Sequence, residues 1–355
     1  MSAAGARAEY YEGTVTPWIR WSSLALVAAL VACQFGTSTS SAPPPSTPPA
    51  YPPGAYGQAP PSGSPVPASP TPTSAPQAAP TTAQTPGPVA ADPINQLNIV
   101  WLRSRAQEVY RSLVAALPPG AKSRVQGIPL VVDNTVGAVN AFASCTQGGA
   151  SLMAITDGLL EIEAQLAQCA ATDEIFGGNR TAQYIDLVAR QQQPERPIVR
   201  PPPGFYDPTQ SVDGRKVARQ HQLFDEQVAF VMGHEMAHHY LGHLPCTAGN
   251  VTASEIGIAL TGVVPAFNQV NEAAADTAGV HNVLTTGKGR QDYHWTEGGA
   301  LLTMRFFAGM DQLSPVDILF GFERTHPPPQ LRIPIIQQTA ATWRATGGAP
   351  LIWVQ

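Results

Sequence analysis

The sequence predicts a mainly α domain with a small β-sheet, an α+β class, on three observations. Helical spacing of apolar residues recurs in long segments between Ile94 and Ala345. Two short runs rich in β-branched or aromatic residues interrupt it, close together between Ile128 and Ser144. No internal repeat points to a solenoid or propeller.

Taken in chain order, the first element is an export signal. Trp21 to Ala32 is a 12-residue apolar run after Arg20, shorter than the roughly 20 residues a bilayer-spanning helix needs and within the range of a signal-peptide core. Leu30-Val31-Ala32-Cys33 resembles a bacterial lipobox. Residues 1–33 then form a signal peptide cut before Cys33, and Cys33 carries the lipid. The alternative is a single uncleaved N-terminal membrane anchor. Gln34 stands where, in enterobacterial lipoprotein sorting, an aspartate favours the inner membrane. The expectation is therefore an exported, periplasm-facing lipoprotein of the outer membrane of a Gram-negative bacterium, attached through its N-terminal lipid.

Residues 34–92 form the second element, a Pro/Ser/Thr/Ala-rich linker. No charge lies between Cys33 and Asp92, and 18 of the 36 prolines fall from Pro43 to Pro93. Such a stretch buries too little apolar surface to offset the entropy of ordering it, and it reads as a disordered, extended spacer. Residues 93–355 are left as one domain with a single core. The chain carries 20 Lys+Arg against 25 Asp+Glu, for a net charge of -5, with only three lysines and no basic run. No nucleic-acid footprint is present.

Within the domain, Ile94–Leu117 reads as an amphipathic helix that stops at Pro118-Pro119-Gly120. Ile128–Asp133 and Asn140–Ser144 read as strands, Gly148-Gly149 precedes Ser151–Ile155, and Asp157–Ala170 reads as a helix. Thr172 to Gly214 is Pro-, Gln- and Gly-containing and reads as a long excursion with at most one short helix, Thr181–Gln191. Arg215–Leu244, Glu255–Leu260, Asn268–Thr285, Thr296–Gly309, Pro315–Leu319 and Pro329–Ala345 read as further helices.

The chemistry concentrates in His234-Glu235-Met236-Ala237-His238. On a helix the two histidines lie about one turn apart and converge on one cation, while Glu235 stands beside it, placed to hold a water. Leu223, Phe230, Val231, His234, His238 and Leu241 share one stripe, so the histidines continue the face that enters the core. A second pair, His239 and His243, lies about 140 to 180° round the helix and reads as facing solvent or standing behind the ligands. The third ligand is sought in Asn271-Glu272-Ala273-Ala274-Ala275-Asp276-Thr277-Ala278-Gly279, where Glu272, Asp276 and Gly279 share a face. Glu272 would ligate, and Asp276 would accept the free N–H of a metal-bound histidine.

HEMAH, then EAAAD, then Thr325-His326-Pro327-Pro328 with Arg332-Ile333 resembles the M48 family of zinc metallopeptidases, and Asn140-Ala141-Phe142 and Gly158-Leu159-Leu160 match its strand and following helix. The resemblance spans Ile128 to Ile333. It implies a gluzincin-type zinc metallopeptidase domain, near the soluble, exported lipoprotein branch of the family. The implied metal is one Zn²⁺ per chain on His234, His238 and Glu272, with Glu235 as general base and His326 stabilising the oxyanion. Arg332 is a candidate partner for Asp276. Asn140–Ser144, with Asn140, Ala141 and Phe142 foremost, reads either as an edge strand to which polypeptide substrates add or as a plain core strand. The roughly 45-residue excursion before the zinc helix departs from the family's usual short link.

The expected function is a metalloendopeptidase acting on envelope proteins in quality control. The alternative is a zinc-stabilised, weakly catalytic or non-catalytic chaperone or assembly factor, against which the intact Glu235 argues. Cys145, Cys169 and Cys246 allow one disulfide in three pairings. Cys145 with Cys169 would tie the sheet to the following helix, but the sequence does not choose among them.

Overall fold

The computed structural model describes residues 91–193, 195–247, 251–252, 254–256, 269–313 and 326–354, with the backbone alone at 311–313. The expected signal segment, Cys33, the linker up to residue 90, the helix Pro315–Leu319 and Thr325 lie outside the described residues. Of Glu255–Leu260, only residues 255 and 256 are described, and they are helical.

Helix α1 (Ile99–Ala116) starts at Asn98, whose side chain accepts from the Trp101 N–H. It is shorter than the expected Ile94–Leu117, because residues 93–97 form a turn held by the Asp92 carboxylate on the Ile94 and Asn95 N–H groups. The helix stops before the diproline as expected, and Pro119 then opens a second helix that was not foreseen, α2 (Pro119–Val125). Proline lacks the N–H that the first turn leaves unused and presets its φ.

Strands β1 (Leu130–Asp133), β2 (Ala141–Cys145) and β3 (Ser151–Thr156) form one sheet in the order β1-β3-β2. β1 runs parallel to β3, with Leu130 opposite Met153, and β2 runs antiparallel to it, with Ala141 opposite Ile155. β2 is therefore an edge strand. Thr156 ends β3 and caps α3 (Asp157–Phe176) by accepting from Leu159 N–H. α4 (Arg180–Gln191) is the short helix expected in the excursion, and a further turn of helix, α5 (Pro208–Ser211), was not foreseen.

The architecture is organised around α6 (Gly214–Tyr240), in which every residue from Leu223 to Tyr240 is buried. The apolar stripe read from the sequence thus understates its burial. α1, α3, β2, α7 (Gln269–Lys288) and α8 (Gly298–Leu313) all pack around α6. α9 (Pro329–Ala345) lies against α7 and α8. The core joins Leu102, Val109 and Leu113 of α1, Leu160 and Leu166 of α3, Phe224, Phe230 and Val231 of α6, and Phe306 and Phe307 of α8. Among the described residues no helix is long and apolar enough to cross a membrane.

α6 and α7 approach closely because glycines face each other. A Cβ on Gly279 would stand 2.9 Å from the His234 backbone N, and one on Gly233 would stand 3.3 Å from the Gly279 carbonyl oxygen. Cys145 at the end of β2 is bonded to Cys246 just past α6, and Cys169 is free and buried. This selects one of the three pairings and sets aside the sheet-to-α3 tie. It joins the edge strand to the end of the central helix.

Candidate metal centre

α6 presents His234 and His238 one turn apart with their Nε2 atoms 3.2 Å from each other. The glycine crossing brings α7 against this turn, so Glu272 reaches both rings. Its Oε2 lies 3.4 Å from His234 Nε2 and its Oε1 3.5 Å from His238 Nε2. His326, immediately before α9, places Nε2 3.8 Å from Glu272 Oε2 and 3.4 Å from Glu235 Oε1. The donor atoms of His234, His238, Glu272 and His326 all lie within 4.8 Å of one another.

These residues fit a bound cation. Ligand bonds of about 2.0–2.1 Å in tetrahedral array put donor atoms roughly 3.3 Å apart, close to the three separations found here. Both Glu272 oxygens are buried and receive no hydrogen bond from any described residue, a costly state for a carboxylate unless a cation meets it.

Behind the donors, Asp276 Oδ1 lies 3.0 Å from His234 Nδ1 and accepts at 2.6 Å from Arg332 Nη2, while Arg332 Nε donates to Asp276 Oδ2 at 2.9 Å. Asp276, expected to hold a histidine, and Arg332, expected to hold Asp276, are thus assembled as a chain leading to His234. Burial pushes the Asp276 carboxyl up, but Arg332 and His234 more than offset this and hold it below the ordinary carboxylate range. Burial also works against the Arg332 charge, and Asp276 restores it. For His234, burial and Arg332 push down, whereas Asp276 and Glu272 push up further, to about 9. His238 is held far below its ordinary value by burial and by the imidazoles of His234, His326 and His243. It is therefore neutral, the state in which imidazole ligates.

Glu235 reaches the sheet with one oxygen and stays beside the donor group with the other, 3.4 Å from His326 Nε2. Its Oε2 accepts from the Ala143 N–H at 2.8 Å, and its Oε1 receives no hydrogen bond from any described residue. Thr146 N–H pairs with Ala150 and Thr156 N–H with Asn140 across the hairpin. By alternation the even residues of β2 face β3, and Ala141, Ala143 and Cys145 turn their main-chain groups to the open edge. Of the strand residues expected to meet a substrate, only Ala141 offers outward main-chain groups; Asn140 and Phe142 pair inward.

Ala143 escaped the sequence reading because a main-chain donor has no side-chain signature; strand parity was the one available signal. His243 stands behind His238, one of the two readings of the second pair, whereas the solvent-facing reading fails for His239. It is buried, with Nε2 3.0 Å from the Leu152 carbonyl oxygen. His243 is half-buried, with Nδ1 2.9 Å from His238 Nδ1.

Two histidines and a glutamate on crossing helices form a group that could hold a metal ion, with a further carboxylate, Glu235, beside them. The model of peptidase family M48 matches residues 101–340, well over half of the chain, and the chain belongs to that family. It is a metalloprotease, and its substrates are polypeptides. No curated protein and no solved structure matches the chain.

Proposed function

We propose that the protein is a zinc-dependent metalloendopeptidase of the bacterial envelope, acting in protein quality control. The observation that carries this reading is the juxtaposition of a four-donor cluster, His234, His238, Glu272 and His326, with Glu235 Oε1, to which no described residue donates a hydrogen bond while its twin is fixed by the Ala143 N–H. His234, His238 and Glu272 would hold one Zn²⁺. When bound, the ion acidifies a water and polarises the scissile carbonyl. Glu235 takes the proton of the attacking water at Oε1 and passes it to the leaving amine. The outward groups of Ala141 and Cys145 align an extended substrate as an added strand. His326 Nε2, inside the same cluster, donates to the oxyanion.

Purified protein incubated with unfolded polypeptides should cleave them, stop when a chelator is added, and recover with one equivalent of zinc. Absence of chelator-sensitive cleavage would sink the proposal. The presence of His326 within the donor set favours a second reading, a chain whose zinc is closed by a fourth protein ligand and which acts mainly as a chaperone or assembly factor. His326→Ala separates the two. It lowers cleavage if His326 serves the oxyanion and raises it if His326 closes the site.

The export reading of residues 1–33 completes the proposal: cleavage before Cys33, lipidation there, and a spacer from residue 34 that holds the peptidase away from an outer membrane and ends before Asp92, which is bound into the domain. Mass spectrometry of the mature N-terminus tests it. A start anywhere other than an acylated Cys33 would replace the lipoprotein by a secreted or singly anchored protein.

A further inference from the structure

We propose that His243 is a positioning residue for the metal centre: it accepts the Nδ1–H of His238 and thereby aims His238 Nε2 at the metal. The inference rests on the zinc reading above. It begins with the way α6 ends. Gly242 adopts φ +75°, its N–H donates to the His239 carbonyl at 3.1 Å, and the His243 N–H donates to the His238 carbonyl at 2.9 Å. This pair of bonds is the Schellman ending, in which the residue after a left-handed glycine folds back over the last turn, a contact commonly made by two apolar side chains. Here two imidazoles meet instead, with Nδ1 atoms 2.9 Å apart and ring centroids 5.0 Å apart.

Donor accounting assigns the direction. His238 Nε2 stands 3.2 Å from His234 Nε2 and 3.5 Å from Glu272 Oε1, so it is the nitrogen offered to the cation. Its remaining ring nitrogen, Nδ1, keeps the hydrogen, and His243 Nδ1 must then accept it. The two ligands are thus oriented by different means. His234 is backed by a carboxylate that Arg332 compensates, whereas His238 is backed by an imidazole. A neutral acceptor fixes the ring without adding a fourth carboxylate to a centre that already holds Glu235, Glu272 and Asp276.

Two substitutions in the full chain isolate the role. His243→Leu restores the apolar contact that this helix ending commonly carries and removes the acceptor. His243→Asn places Oδ1 one bond beyond Cγ, where His has Nδ1, and keeps an acceptor. Zinc affinity would be measured by competition with a chromophoric chelator, and ligand geometry by the visible absorption of the cobalt-substituted protein. The expected result is a roughly 10- to 100-fold loss of zinc affinity and an altered cobalt spectrum in His243→Leu, with both restored toward wild type in His243→Asn. Wild-type affinity and spectrum in His243→Leu, while His234→Ala and Glu272→Ala lose the metal, would overturn the positioning role alone. Wild-type affinity in Glu272→Ala would overturn the metal assignment and this inference with it.

Discussion

At the scale of single residues, Glu235 is fixed by one oxygen and chemically available through the other. Because Gln keeps the shape of Glu and cannot take a proton, Glu235→Gln should retain metal and fold and lose cleavage by about 10²- to 10⁴-fold. Zinc content and steady-state kinetics on one preparation test it; activity within about tenfold of wild type would put the base elsewhere. Glu163 of α3 is the contrasting carboxyl. It is fully buried, neither oxygen receives a hydrogen bond, and burial drives its pKa well above the ordinary 4.5. A proton retained in the folded state and released in the unfolded state makes folding stability fall as pH rises above 4.5, until the folded carboxyl itself ionises. Denaturant titrations at several pH values should show that slope in the wild type, and Glu163→Gln should flatten it. An unchanged slope would mean that another group carries it.

At the scale of elements, the α6–α7 crossing converts a spacing in the sequence into a ligand set. Glu272, Asp276 and Gly279 share a face of α7, so the glycine that permits contact also directs both carboxylates at His234. A methyl group at Gly279 meets only backbone, at 2.9 to 3.2 Å, whereas at Gly233 the nearest atoms lie at 3.3 and 3.4 Å. Gly279→Ala should therefore weaken zinc binding and lower the melting temperature more than Gly233→Ala does; the reverse order would show that the crossing does not set the ligand distance. This much was legible in the sequence, because HEMAH, Glu272, Asp276 and Arg332 act through side chains on regular helices, where periodicity reports direction. The less legible parts have other causes. α2 was hidden because proline opens helices as readily as it ends them. Ala143 acts through its main chain, and the contact of His243 with His238 arises from a helix ending rather than a helical face. The partner of Cys145 depended on where the end of α6 meets the hairpin, which no local pattern encodes.

At the scale of the whole molecule, α6 is the part on which the rest is assembled. Arg105 of α1 reaches the buried Asp225 and Tyr293 donates to the same carboxylate at 2.6 Å, while Glu226 accepts from the Thr296 and Gly299 N–H groups at the start of α8. These buried ties involve none of the candidate metal ligands, so removing the metal should leave most of the domain folded. Far-UV circular dichroism of the chelated protein should stay near that of the metal-bound form, in contrast to small zinc domains that unfold without their ion.

The Cys145–Cys246 bond has a further meaning for what a backbone cut would do to the molecule. Its two ends are 101 residues apart, and the enclosed stretch contains the exposed, Pro-rich run between α4 and α5. A cut anywhere inside that stretch would leave both pieces covalently joined. Arg196 and Arg200 are each followed by proline, bonds that trypsin-like enzymes handle poorly. With a recognition site inserted after the exposed Gly204 and then cleaved, the chain should run as one species without reductant and as two with it, and still retain zinc. Survival after scission is thus written into the covalent topology: the molecule can lose its backbone continuity there and keep its catalytic unit in one piece.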